Sequence, residues 1–358
     1  MTESIYKGDE EYREVSNYSI KLEDIGYDDL ADITLSLEKA ILDFDPRIVA
    51  VDHCISSFAS GSGMIENTLG MKLSDKSNML FIYADARCQE NDQIKTASGY
   101  WYGRERRNLD IQKLAREIAK KALDKLGAGS IPSGQYKAVL DREVVCDILE
   151  TFSGIFSADA IQKGFSLLRD KLNCEIAGAN ITIRDDAFAD GSITQTAYDS
   201  EGVATRNTPL IEDGILKNIL HNRKTAEKDG VVSTGNGFRG YKSPLSIGTK
   251  NFYLVSGSLH FEELIREMDH GIYITEISGL HAGADPISGD FSLLGEGFLV
   301  ENGRISSPVE QITIADNFYN LLNKVEKIGN DLLFQPPSGA GSTGAPSVFI
   351  REIAISGE

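Results

Sequence analysis

The chain has 358 residues, 41% of them hydrophobic, and carries 36 Lys and Arg against 54 Asp and Glu, a formal net charge of −18. This predicts a soluble globular protein large enough for two domains, and it argues against direct nucleic-acid binding because the net charge repels a polyanion. The sequence lacks both an apolar run of 18 residues and the apolar core of a signal peptide, so we expect a cytoplasmic protein that does not bind or span a membrane.

Residues 1–130 predict an α+β unit. Apolar residues recur at helical spacing over 28–44 and again over 111–122, with Gly127 placed to end the second helix. Between these helices, short runs with partial two-residue alternation predict a four-stranded antiparallel meander, which is broken by Gly-Ser-Gly at 61–63. The predicted strands are 48–58, 64–73, 78–86 and 94–102.

Residues 131–358 predict a β-rich domain with a few helices. A linker at 128–134 leads into a strand over 136–140, and residues 143–170 are predicted to be mostly helical. From about Glu175 onward, glycines separate short apolar runs, which is typical of tight turns in a barrel- or sandwich-like fold. The predicted fold class is therefore α+β, a helix and antiparallel-sheet unit followed by this β-rich domain.

Two hairpins and one more helix are predicted within the second domain. Asp213-Gly214 and Asn302-Gly303 each separate two apolar runs, as expected of type I′ turns, in which both central residues have positive φ. An apolar stripe at helical spacing over 318–328 predicts a helix near the end of the chain.

The spacing of reactive residues indicates no catalytic class. The sequence has no G-x-S-x-G elbow, and the G-x-G-x-x-G strings at 235–240 and 339–344 are not followed by a predicted helix that could face a pyrophosphate. The five histidines show no helical H-E-x-x-H pairing of the kind that binds zinc. A metal site assembled from His221, His281 and nearby acids remains open.

Longer motifs resemble a known family. Residues 288–317 contain SGDFS, GFLVENGRI and ITIADN, and residues 199–217 contain DSEGVAT followed by LIEDGILK. These passages are similar to signatures of the TldD/PmbA proteins, which were first described as modulators of DNA gyrase and are regarded as bacterial and archaeal metallopeptidases. The likeness continues in EISG at 276–279 and VEKIGND at 325–331, so it covers nearly the whole chain.

The resemblance also implies a zinc motif from which this sequence departs. TldD-like members carry H-E-x-x-x-H on a central helix and a cysteine near the C-terminus, whereas here Glu150, Thr151 and Ile155 stand at the motif positions and no cysteine follows Cys174. This pattern resembles the PmbA branch, also called TldE, whose subunit shapes the peptide channel beside a zinc-bearing TldD-like subunit. It implies no catalytic residue, metal ligand or cofactor in this chain. Family members also carry an additional N-terminal segment, so we expect the chain to start partway into the family's fold.

We therefore predict a PmbA/TldE-like subunit that takes part in proteolysis or peptide maturation without a zinc site of its own. It would bind an extended peptide along a sheet edge, beside a TldD-like partner or within a homodimer, because glycine-rich and polar loops let a peptide backbone approach closely. The alternative is a stand-alone, non-proteolytic binding or regulatory protein of the gyrase-modulator type. The candidate peptide-binding residues are Gly235, Asn236, Gly237, Ser288, Asp290 and Glu296.

Overall fold

The computed structural model describes residues 5–339 and 341–358. Contacts between residues divide the chain into two compact units. The smaller unit comprises residues 16–65 and 72–128, and the larger unit comprises the described residues within 1–15, 66–71 and 129–358. The predicted α+β class is confirmed, and the larger unit is rich in β-strands. No helix within 5–339 or 341–358 is both long and apolar enough to cross a bilayer.

The smaller unit packs two helices against an antiparallel sheet. Its elements are α1 (Tyr27–Leu42), β1 (Ile48–Ala50), β2 (Cys54–Glu66), β3 (Lys72–Glu90), β4 (Gln93–Gly103) and α2 (Ile111–Asp124). The long strand β3 pairs with the other three strands, and both helices contact it. Leu37 of α1, Ile82 of β3 and Ile118 of α2 are buried together in the resulting core. The helical spacing thus correctly predicted which faces of α1 and α2 are buried.

The predicted break in the meander was misplaced. Residues 61–63 lie inside β2, where the backbone N–H of Gly63 donates to Asp75 Oδ1 at 3.0 Å. The chain reverses instead at 67–71, within the predicted strand 64–73. There Asn67 Oδ1 accepts hydrogen bonds from two backbone N–H groups of the turn, and Gly70 has φ of 90°. A side-chain-capped turn at 67–71, rather than the Gly-Ser-Gly run, therefore ends the strand.

The larger unit contains the remaining helices and strands. They are β5 (Gly134–Leu140), α3 (Arg142–Phe152), α4 (Ala158–Lys163), β6 (Ile183–Asp186), β7 (Asn207–Glu212), β8 (Ile215–Leu216), α5 (Arg223–Asp229), β9 (Gly237–Phe238), β10 (Ser246–Ile247), β11 (Asn251–Leu254), α6 (Phe261–Met268), β12 (Gly271–Ser278), α7 (Leu280–Gly283), β13 (Asp290–Glu301), β14 (Arg304–Asn317), α8 (Phe318–Lys324), β15 (Val325–Ile328), β16 (Leu333–Phe334), β17 (Ser342–Ala345) and β18 (Val348–Ser356).

Five of these strands form a small closed barrel. The strand order is β14-β13-β12-β5-β18, and β14 pairs again with β18 through Thr313–Ser356 and Ala315–Ala354. Closure pairs the edges that an open sheet would expose. A second sheet has the order β16-β17-β11-β6-β7-β8, and β9 and β10 form a separate two-stranded ribbon. Helix α3 contacts β12 of the barrel and both β11 and β17 of the second sheet, so it is packed between the two sheets.

Both predicted hairpin turns are confirmed. Asn302 and Gly303 have φ of 54° and 66°, and they join β13 to β14. Asp213 and Gly214, with φ of 50° and 80°, join β7 to β8 in the same way. Positive φ at both central positions is the type I′ geometry that Asn-Gly and Asp-Gly favour.

Two predicted helices are shorter than the apolar spacing suggested. Within 143–170, α3 ends at Phe152 and α4 ends at Lys163, where Gly164 adopts φ of 83° as a left-handed cap. Within 318–328, helix α8 ends at Lys324, and Val325–Ile328 pairs with β18 as strand β15. A short apolar run satisfies both helical and strand spacing, and here the ladder offered by β18 decides in favour of the strand.

Candidate functional site

The side chains at the three motif positions do not converge. Glu150 Oε1 accepts a 2.8 Å hydrogen bond from Ser338 Oγ, and Thr151 Oγ1 donates at 2.8 Å to the carbonyl of Asp147, one turn earlier in its own helix. Ile155 lies past the end of α3, in a 3₁₀ turn, and is only 2% exposed within the hydrophobic core. The three positions thus hold one engaged carboxylate and one internally bonded hydroxyl on α3, and one buried aliphatic side chain in the turn that follows it.

A second hydrogen bond runs beside the first. Gln335 Nε2 donates to Asp147 Oδ1 at 2.7 Å. Asp147 and Glu150 are three residues apart on one face of α3, and Gln335 and Ser338 have the same separation. We call these two side-chain pairs, Gln335–Asp147 and Ser338–Glu150, the α3 latch. Burial raises the pKa of Asp147, and the nearby carboxylates of Glu143 and Glu150 raise it further.

The capping of α3 fixes the orientation of this face. Asp141 precedes the helix, and its Oδ1 accepts from the backbone N–H of Glu143 at 2.9 Å. Its Oδ2 accepts from the Tyr273 hydroxyl on β12. At the other end, Phe152 stacks on Phe318 with ring centroids 4.7 Å apart. One side-chain contact with the barrel strand β12 and one with α8 therefore fix the two ends of the helix.

The predicted residues Gly235, Asn236 and Gly237 are all buried. Asn236 is 1% exposed, and its Nδ2 donates to Asp185 Oδ2 at 2.6 Å and to the carbonyl of Gly248 at 3.0 Å. The backbone N–H of Gly237 donates to Asp199 Oδ2 at 2.7 Å. A side chain on Gly237 would approach this carboxylate within 2.9 Å, which explains the glycine.

The same network contains a buried lysine. The backbone N–H of Lys250 donates to Asp185 Oδ1 at 2.6 Å, and the Lys250 side chain is buried with it. Burial raises the pKa of Asp185 to about 6 and lowers the pKa of Lys250, while Asp199 and Asp185 act on Lys250 in the opposite direction. Buried hydrogen bonds to Asp185 and Asp199 thus fix the glycine-rich loop at 235–237.

Ser288 and Asp290 lie at a different place, Ser288 in the loop before β13 and Asp290 at the start of that strand. Asn317 Nδ2 donates to the carbonyl of Ser288 at 2.9 Å and to Asp290 Oδ1 at 2.8 Å. Asn317 Oδ1 also accepts from the backbone N–H of Tyr319 and so caps α8. The SGDFS and TIADN motifs therefore meet through one asparagine, which accounts structurally for both.

Glu296 lines an acidic groove of about 220 Å³ on the barrel. Glu276 on β12 and Glu296 on β13 are directly opposed cross-strand neighbours, and Glu310 on β14 lines the same groove. These three carboxylates give the groove its acidic character. Its walls include the apolar side chains of Leu294 and Ile312.

A cavity of about 160 Å³ lies just past the end of α3. We call it the apolar cavity. Its lining combines Ser153, Gly154 and Ser157 with Leu220, Phe238, Ile247, Gly248 and Thr249. It lies between the segment that follows Glu150 and the strand that begins at Gly237. Its lining, all of it in the described chain, does not include Ser288, Asp290 or Glu296.

Metal-binding side chains are dispersed. Among residues 5–339 and 341–358, no group of three or more His, Cys, Asp or Glu is arranged to hold a metal ion. His221 is buried and its Nδ1 has no hydrogen-bond partner among the described residues, while His281 is exposed on α7. Burial lowers the pKa of His221. The described residues thus offer no support for the metal site left open around these two histidines.

Sequence reasoning missed the partners of the motif positions. Asp147 and Glu150 could have been recognised as two carboxylates on one helical face, opposite the apolar face formed by Val145 and Leu149. Gln335 and Ser338 gave no local signal, because they lie 188 residues further along the chain than the side chains they contact.

Comparison with family models covers most of the chain. The model of the PmbA/TldA metallopeptidase C-terminal domain matches residues 133–357, and the model of the central domain matches residues 20–126. A curated metalloprotease of Methanothermobacter thermautotrophicus is 33% identical over 257 residues, which cover 69% of this chain and 56% of that protein. Metalloprotease PmbA of Escherichia coli O157:H7 is 26% identical over 336 residues, covering 94% of this chain and 71% of that protein. The match to the archaeal protein therefore spans little more than half of its length.

Solved structures agree with this assignment. A protein of Thermotoga maritima, described as a proposed modulator of a DNA gyrase, has a TM-score of 0.92 at 34% identity, with 99% of this chain and 80% of that chain covered. TldE from Thermococcus kodakarensis has a TM-score of 0.90 with the same coverage, and at 21% identity it supports the fold alone. Given the two family-model matches, the chain belongs to the TldD/PmbA family of metallopeptidase proteins.

Proposed function

We propose that this chain is a PmbA/TldE-type subunit without a catalytic zinc site, which takes part in proteolysis or peptide maturation beside a zinc-bearing, TldD-like partner. The geometry of the motif positions carries the proposal. A catalytic zinc needs three His, Cys or carboxylate ligands and an open position for water. The Glu150 carboxylate accepts from Ser338, Thr151 bonds to its own helix, and Ile155 is buried in the core. These side chains do not fit a zinc ion.

The α3 latch supports the same proposal. It ties the segment 335–338 to the helical face on which the family's catalytic members carry zinc ligands. In the proposal these two side-chain pairs engage the carboxylates of that face, so neither carboxylate is left to bind a metal ion or to activate water. The similarity to the E. coli protein named metalloprotease PmbA supports membership of a peptidase system. In the proposal, a zinc-bearing partner carries out the hydrolytic step.

For the peptide, we propose the apolar cavity as a binding site for one apolar side chain. Leu220, Phe238 and Ile247 supply its apolar walls, and Gly154 and Gly248 leave room for a peptide backbone to approach. In this proposal Gly235, Asn236 and Gly237 act indirectly, because their buried hydrogen bonds position Phe238.

The remaining candidates are assigned roles outside the apolar cavity. In the proposal Asn317 holds Ser288 and Asp290 as a structural loop. Glu296 would contact the peptide from the groove that it shares with Glu276 and Glu310. A peptide with an apolar residue is therefore the substrate class that the apolar cavity supports.

Mixing the chain with a TldD-like protein that carries H-E-x-x-x-H tests the proposal. We expect the two to co-elute as one complex, and we expect the mixture to cleave peptides faster than the partner alone. A matched mixture with an Ile247→Asp chain should form the complex but lose the acceleration. If the wild-type chain neither joins the partner nor changes cleavage, the proposal fails, and a stand-alone, non-proteolytic binding protein becomes the better account.

A further inference from the structure

The smaller unit contains a basic cavity that the proposed function does not use. Its volume is about 240 Å³, and it lies between the turn Ile20–Leu22 and the chain that follows β4. Four of its eight lining residues are basic and two are acidic, in a chain whose net charge is −18. We call it the basic cavity. Its lining is Lys21, Leu22, Asp24, Ile25, Arg104, Glu105, Arg106 and Arg107.

A hydrogen bond to the buried residue Asn78 fixes the guanidinium of Arg104. Its Nε donates to the carbonyl of Asn78 at 2.9 Å, and Asn78 is only 3% exposed. The Asn78 side chain is held in turn, because its Oδ1 accepts from the backbone N–H of Ser19 and its Nδ2 donates to the Ser19 carbonyl. A guanidinium fixed in this way loses little conformational entropy when it binds a ligand.

Arg106 and Arg107 are held more loosely. Arg106 Nη1 donates to Asp29 Oδ1, and Arg107 Nε lies 3.4 Å from Glu105 Oε2 while 77% of its side chain stays exposed. Each guanidinium has five N–H donors in a planar fork, so one carboxylate contact leaves donors for another oxyanion. With Asp29 included, the positive charges around the basic cavity still outnumber the negative ones.

We propose that the basic cavity binds a single phosphate group, either free or on a phosphorylated side chain. A phosphate offers three oxygens and up to two negative charges to the guanidinium forks, whereas a carboxylate offers two oxygens and one charge. The apolar side chains of Leu22 and Ile25 can contact the remainder of the ligand. An extended polyanion is disfavoured, because the net charge of the whole chain repels it.

Titration of the full chain by calorimetry tests this site, with inorganic phosphate and O-phosphoserine as probes. We expect saturable binding that weakens as salt is added. Arg107→Gln should weaken it about fivefold or more, because one guanidinium fork is lost. Arg116→Gln is the matched control, since it removes the same charge from an exposed position on α2 outside the basic cavity. The Arg116→Gln variant should bind both probes with the affinity of the wild type.

Each outcome decides one point. Tighter binding of O-phosphoserine identifies a phosphorylated side chain as the source, and tighter binding of inorganic phosphate identifies the free ion. The proposal is overturned if neither probe saturates, if Arg116→Gln weakens binding as much as Arg107→Gln, or if acetate binds as tightly as phosphate. Lys21→Gln provides a second exposed variant, with a reduced affinity expected, and circular dichroism confirms that each variant is folded.

Discussion

Ser338 Oγ donates a 2.8 Å hydrogen bond to Glu150 Oε1, the carboxylate at the position where the family's zinc motif begins. The neighbouring pair, Gln335 and Asp147, repeats the contact one helical turn away. Together these pairs fasten the segment 335–338 to α3. In the folded protein both carboxylates are therefore engaged by hydrogen bonds, which supports the proposed absence of a catalytic zinc site.

The two pairs of the α3 latch should differ in strength. Ser338→Ala removes an exposed pair and should lower the free energy of unfolding by less than about 1 kcal/mol. Gln335→Ala leaves the largely buried carboxylate of Asp147 without this donor and should cost about 1–2 kcal/mol. Hydrogen exchange should then accelerate at the amide of Ser338 in both variants. Unchanged exchange in the double variant would contradict the α3 latch.

Stability should depend on the protonation of Asp185. Burial raises its pKa to about 6 in the folded protein, whereas an unfolded aspartate titrates near 4. The proton is therefore bound more tightly by the folded state. The contribution of this bound proton to the free energy of unfolding is fully present below about pH 4 and is lost as the pH rises through about 6. The total loss is up to about 3 kcal/mol.

Denaturant unfolding at about pH 4 and about pH 7 measures this effect. Asp185→Asn cannot titrate, so it should lose less stability than the wild type between the two pH values, by roughly 2 kcal/mol. The control Asp190→Asn, at an exposed position in the same segment, should keep the wild-type dependence. Equal pH dependence in all three proteins would show that Asp185 does not titrate in this range.

The hairpin turn in the signature should be sensitive to a single methyl group. Gly303 has φ of 66°, and a Cβ there would lie 3.1 Å from Arg266 Cα. Gly303→Ala should therefore cost about 1–2 kcal/mol of unfolding free energy. Gly61→Ala is the matched control, because among the described residues no heavy atom beyond its two chain neighbours lies within 4 Å of the added Cβ. Thermal unfolding compares the two, and equal melting temperatures would refute the strain assigned to the turn.

Peptide affinity should depend on the walls of the apolar cavity. Ile247→Asp places a carboxylate beside Leu220 and Phe238, so binding of a fluorescent peptide with a leucine should weaken about tenfold. A peptide with glycine in place of that leucine should bind both proteins equally weakly. Val232→Asp, at a position 76% exposed, should leave the affinity unchanged. Fluorescence anisotropy distinguishes these outcomes, and equal affinity for both peptides would rule out the apolar cavity.

Local sequence rules predicted the local structure. Asn302-Gly303 predicted its turn because few residues tolerate two consecutive positive φ angles, and apolar spacing predicted α1 and α2 because one face of each helix is buried. The same spacing failed over Val325–Ile328, where pairing with β18 decides the conformation. Such pairing depends on residues brought together only by the fold.

The site was less predictable for the same reason. The family motif identified Glu150, Thr151 and Ile155, but the atoms that engage Glu150 come from 188 residues away. Asn236 was predicted to bind peptide because it lies between two glycines in a predicted loop. Its amide instead bonds to Asp185, 51 positions earlier, and no local pattern in the sequence signals that contact.

The zinc content of the purified chain tests the central claim most directly. After incubation with zinc and removal of the excess, elemental analysis of the chain alone should find far less than one zinc per chain, because the side chains at the motif positions cannot act together as ligands. Cleavage of peptides by the chain alone should then be absent. A stoichiometric zinc that is retained by the wild type and lost from a Glu150→Gln variant would contradict the account.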